Sequence, residues 1–147
     1  MPKKKEAKIK KVKKARKVVT KALKVKELGA TKPSRYFETV GRRKTSVARL
    51  RLFTEGEKSI LVNGKLYENY FPTQDLQQIL ISPLEKMSSQ GKFGVVIKVR
   101  GGGIHSQAEA ARHALSRALV LFNPDFKKRL KGAGFLSRDS RMRERKK

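Results

Sequence analysis

Residues 46–53, Ser-Val-Ala-Arg-Leu-Arg-Leu-Phe, decide how the middle of this chain is read. Ala48, Leu50 and Leu52 alternate with Arg49 and Arg51. A period of two sends alternate side chains to opposite faces of a strand. One face can be buried while the other carries guanidinium groups. After a turn at Thr54-Glu55-Gly56-Glu57, residues 59–62 (Ser-Ile-Leu-Val) read as the return strand of a hairpin. Asn63-Gly64, a strong turn signal, closes it.

Working outward, Leu66 to Phe71 form a short apolar turn stopped by Pro72. Leu76, Ile79, Leu80, Leu84 and Met87 then recur at helical spacing, with Pro83 expected to kink or split that helix. Phe93, Val95, Ile97 and Val99 alternate as another strand, ended by Gly101, Gly102 and Gly103. Residues 106–122 give the clearest helix, with Ala108, Ala111, Leu115, Ala118, Leu119 and Phe122 on one stripe and Asn123-Pro124 as its stop. Leu130 falls in a last short helix before Gly132 and Gly134. Strands mixed with helices on one side predict an α+β fold, a two-layer sandwich.

The charge is uneven along the 147 residues. The total of +26 divides into +13 over residues 1–35, +5 over 36–126 and +8 over 127–147. This predicts a lysine-rich N-terminal extension, a globular body and a basic C-terminal segment. A body of about ninety residues buries roughly 60% of its unfolded surface, enough for a modest core. The extensions cannot build one, and a dense row of cations gains most by displacing counterions from a nucleic-acid backbone. Within the first extension Ile9, Val12, Ala15, Val19, Leu23 and Leu28 allow an amphipathic helix ending at Gly29, expected to be disordered when free and partly helical on RNA. Lacking aromatic residues, its stripe is a poor match for a membrane surface. The chain has no cysteine, which removes disulfides and thiolate chemistry. It has no apolar run of the length a membrane span needs, and no secretory signal is expected at its start.

No catalytic constellation emerges. Gly101-Gly102-Gly103-Ile104-His105-Ser106 joins a strand to a helix but fits neither a dinucleotide fingerprint nor a Walker loop. It reads either as a tight turn with Ser106 as N-cap or as a turn that lets an RNA phosphate approach the backbone. His105 and His113 are eight residues apart, too far to chelate one metal, and read as polar surface or RNA contacts. Asp139, among arginines, suits orienting them better than acting as a base. The cations are more informative. Arg42, Arg43 and Lys44 with the Thr45 hydroxyl suit successive phosphates of a folded strand, and Arg49 and Arg51 extend that surface. Arg138, Arg141, Arg143, Arg145, Lys146 and Lys147 form a second cationic run whose arginine forks favour bidentate phosphate contacts.

Several of these stretches together resemble a known family. They are GRRKTSVAR at 41–49, VNGK at 62–65, YF at 70–71, PL at 83–84, GGG at 101–103, QA with ARHAL at 107–115, SRAL at 116–119 and GFLSRDSRMRERKK at 134–147. The chain is similar, from about residue 36 to 147, to ribosomal protein nine of the small subunit. The resemblance implies a mixed β-sheet with a left-handed β-α-β crossover and no catalysis, cofactor, small-molecule substrate or membrane. It implies binding to the head domain of small-subunit ribosomal RNA, beside neighbouring head proteins, on ribosomes in the cytoplasm. Gln107, Arg112, His113 and Arg117 join the expected RNA contacts on the same ground. Ser106 and Glu109 stand where the family usually has glycines, and Glu109 would repel a close phosphate. The family's basic tail, which faces the peptidyl-site transfer RNA, lies beyond the Arg145-Lys146-Lys147 match, so that contact is expected to be weak or absent. An architectural protein that compacts nucleic acid is the alternative that shares this charge.

Overall fold

The computed structural model describes residues 35–143 and 146. The helix expected to end at Gly29, and the RNA contacts expected of Arg145 and Lys147, lie outside the described residues.

The chain runs β1 (Tyr36–Arg43), β2 (Ser46–Phe53), β3 (Ile60–Val62), β4 (Lys65–Leu66), α1 (Tyr67–Tyr70), α2 (Gln74–Lys86), β5 (Gly94–Arg100), α3 (Ile104–Phe122) and α4 (Phe126–Gly132). The strands form one five-stranded sheet in the order β1-β2-β5-β3-β4. Pairing is antiparallel except between β3 and β5, which are parallel. The sheet is therefore mixed and the fold α+β, as expected.

The register explains the core. Thr39, Leu50 and Ile97 stand side by side across β1, β2 and β5, as do Gly41, Ala48 and Val99. All six face α3 and are buried. Residues of opposite parity, among them Glu38, Arg49, Arg51, Lys98 and Arg100, are exposed on the other face. One face of the sheet is apolar and covered; the other is ionic and open. No helix among the described residues is long and apolar enough to cross a membrane.

Several expectations need correction. The hairpin predicted between residues 46–53 and 59–62 does not form, because β5 lies between β2 and β3 and takes the hydrogen bonds of both. The partner of β2 on its other side is β1, a strand not assigned from the sequence, and Arg42 and Arg43 end it. Lys44, at φ 49°, turns that hairpin. The Asn63-Gly64 turn is present, with both residues at positive φ (49° and 79°), as a two-residue hairpin loop favours. It joins β3 to β4.

Pro83 does not split α2. Proline has no N–H to give the Ile79 carbonyl, one turn back. The Ser82 hydroxyl donates to that carbonyl instead, at 2.9 Å. Helix α3 begins at Ile104, so Ser106 stands in its first turn and not at its cap. At the other end, packing continues past the change in charge at residue 126: Leu130 is fully buried, and Phe135 and Leu136 pack against the core.

Candidate nucleic-acid interface

The expected cations separate into two surfaces. The first is the open face of the sheet, where Arg49, Arg51 and Lys98 surround Glu38. Arg49 donates to Glu38 at 2.7 Å and Arg51 approaches it at 3.4 Å. The hydrogen bond from Arg49, and the nearby charge of Arg51, hold the Glu38 carboxyl below its usual range despite some desolvation. The Arg51 guanidinium also lies 4.9 Å from the centre of the Tyr36 ring. One carboxylate among three cations leaves this face positive. Sequence reading missed Lys98 and Arg100, although they alternate with the core positions Val95, Ile97 and Val99 on β5.

The second surface is a cleft of about 360 Å³ between the β1–β2 hairpin, the first half of α3 and residues 134–141. It gathers Arg42, Arg43, Arg112, His113, Arg138 and Arg141, which lie as much as 99 positions apart in sequence. Five arginines and two carboxylates, Glu109 and Asp139, line it. Arg43 is the most engaged. Its Nε donates to Glu109 at 2.7 Å, one terminal nitrogen meets Asp139 at 3.1 Å, and the other donates to the Arg141 carbonyl at 3.1 Å. Its side chain is 17% exposed, against 65% for Arg49. Arg141 grips Asp139 with Nε and a terminal nitrogen, while its backbone N–H donates to the same carboxylate. These bonds from Arg141, with the charge of Arg43, hold Asp139 well below the usual carboxylate range. Asp139 thus orients arginines, as its setting in the sequence suggested.

His113 is half-buried in the cleft wall. Its Nδ1 is buried and has no hydrogen-bond partner among the described residues. Burial, then the charges of Arg117, Arg138 and Arg112, press its pKa below 6.5, partly offset by the nearby Leu136 backbone. These surroundings favour the neutral ring. Arg112 lies over the Phe135 ring at 5.5 Å. Arg117 is outside the cleft and donates to the Val40 carbonyl, which fastens α3 to β1.

The glycine turn serves the fold first. Gly101 and Gly102 have φ of 74° and 64°, and a Cβ on Gly102 would overlap the hydroxyls of Ser46 and Ser106. Those hydroxyls meet at 2.7 Å, and Ser46 also lies 2.9 Å from the Gly101 carbonyl. Ser106 receives the Gly103 N–H at 3.1 Å. Gln107 donates to the Gly101 carbonyl at 3.1 Å and accepts from Tyr70 at 2.8 Å. Asn63 completes the chain, donating to the Tyr70 hydroxyl and pairing with both backbone groups of Val99. Gln107 is therefore engaged within the protein. Gly103 is exposed with open space around it, although its N–H and carbonyl are both engaged by the first turn of α3. Lys44, Thr45, Arg143 and Lys146 are exposed.

Residues 41–147 match the family described as Ribosomal protein S9/S16. The chain is 50% identical over 107 residues to the "Small ribosomal subunit protein uS9" of Maridesulfovibrio salexigens, covering 73% of this chain and 82% of that protein. The proteins of the same name from Lawsonia intracellularis and Desulfovibrio desulfuricans are similar to the same extent.

Proposed function

The chain belongs to the ribosomal protein S9/S16 family, and from that membership we infer that it is a structural constituent of the small ribosomal subunit. Its partners are ribosomal RNA and other ribosomal proteins. Its work is translation, by holding RNA in shape and not by catalysis. The observation that carries the reading is the family match over residues 41–147, with 50% identity over 107 residues to a relative.

Within that role, the protein binds the head domain of small-subunit ribosomal RNA. The open sheet face and the cleft are its two RNA-facing surfaces, and the neighbouring head proteins cover part of what remains. The cations there are arranged over a rigid sheet and helix, which suits a folded RNA with phosphates at fixed positions better than a uniform duplex. The connection from β3 to its parallel neighbour β5 is taken to be the left-handed crossover of the family.

Sedimentation of the tagged full chain with ribosomal subunits tests the reading. It should travel with small subunits and remain there after a moderate salt wash. Filter binding should favour a transcript of the head domain over duplex DNA of equal length. Equal affinity for both, with no protein in the small-subunit fraction, would favour a general compacting protein instead.

A further inference from the structure

The five arginines of the cleft are not equivalent. Arg43 and Arg141 are committed to carboxylates. Arg42, Arg112 and Arg138 have no ion pair among the described residues, and with His113 neutral they supply the cleft's excess of three positive charges. Arg43 faces two carboxylates at once, so a phosphate approaching it meets local negative charge before it meets a free N–H. Its three bonds join separate parts of the chain: Glu109 on α3, and Asp139 and the Arg141 carbonyl in the C-terminal segment. Glu109 is itself only 20% exposed, so this pair is less screened than those on the open sheet face.

We propose that this cleft takes phosphate groups of an RNA strand on Arg42, Arg112 and Arg138, and that Arg43 is a positioning residue that ties its two walls together through Glu109 and Asp139. The proposal rests on the RNA-binding reading above and divides the cleft's cations into ligands and a strut. It also gives Glu109 a purpose. An acid beside an RNA surface lowers affinity unless it holds something the RNA needs, and here it holds the arginine that fixes the segment bearing Arg138. Arg112 is kept in place by the Phe135 ring, also on that segment.

The test uses the full chain and a head-domain transcript of small-subunit ribosomal RNA, with affinity measured against salt. Arg42→Gln/Arg138→Gln, both at exposed positions, should lower the log-log slope by at least about 0.7, the loss of one phosphate contact. Arg43→Met should leave the slope unchanged, while the ¹⁵N order parameters of residues 137–141 fall towards the flexible range, below about 0.6. Glu109→Ala should loosen the same residues without raising affinity, and it decides the matter if Arg43→Met does not fold. An unchanged slope in the double variant overturns the ligand assignment. A slope lowered by Arg43→Met with the segment still rigid, or an affinity raised by Glu109→Ala with no loosening, overturns the strut. Absence of wild-type binding would instead strike the ribosomal reading itself.

Discussion

Gly41 of β1 lies directly against the backbone of Ala110 in α3. A Cβ on Gly41 would overlap the Ala110 carbonyl and come within 3.0 Å of the Ala114 Cβ. One residue pair further along, the buried Thr39 hydroxyl donates to the Ala114 carbonyl at 2.8 Å. Strand and helix therefore touch through backbone, with only small side chains between them.

This contact predicts a large effect from the smallest substitution. Gly41→Ala should destabilise the protein by about 1–3 kcal/mol or more, since neither backbone can yield without disturbing the sheet or the helix. Denaturant unfolding at fixed salt measures it. A loss below about 0.5 kcal/mol would show that the strand and helix can separate freely.

The three glycines of the β5–α3 turn should not respond alike. Gly102→Val should impair folding, because a β-branched residue at φ 64° is strained and its side chain would strike Ser46 and Ser106. Gly103→Ala meets open space and an extended backbone, and should change stability by no more than about 0.5 kcal/mol. Thermal unfolding of the two variants beside wild type decides it; equal midpoints would mean that the turn is only a linker.

Acidification should weaken the fold in two stages. The pKa of His113 is depressed in the folded state, so the stability that depends on its neutral form is complete above 6.5. Below that value the unfolded chain binds a proton that the folded chain resists, and stability falls with pH. Asp139 and Glu38, also depressed, add their losses only as the pH falls into and below the ordinary carboxylate range. His113→Gln should remove the upper stage and leave the lower. A pH profile with the same slope between 6.5 and 5 in both proteins would contradict the assignment.

Leu130 tests where the body ends. It is fully buried, although it belongs to the strongly basic segment that follows residue 126. Leu130→Ala should cost about 2–5 kcal/mol, the range for a buried leucine in a closed core. An effect within about 0.5 kcal/mol would mean that α4 rests loosely on the body.

What could be read from sequence had a local cause. The alternation in β2 and β5, the apolar stripe of α3 and the Asn63-Gly64 turn depend on residues within one or two turns of each other, and all are present. Strand β1 escaped notice because two of its three inward positions are Thr39 and Gly41, where the close approach of α3 demands small residues and leaves only Phe37 to mark an apolar face. Its spacing still held a clue, since β2 needed a partner on each side. The cations were legible as a class, and the fold brings Arg42, Arg112, His113 and Arg138 into one cleft.

By itself, then, the sequence determined the period of each main element, the basic character of the surface and the family. Only the tertiary structure decided the strand order, because insertion of β5 between β2 and β3 depends on pairing between segments more than thirty residues apart. It also separated Arg43 from its neighbour Arg42. The two are alike in charge and donor set, but Arg43 finds its partners 66 and 98 residues away. An arginine's role depends on which oxygens reach its five donors, and no local pattern contains them.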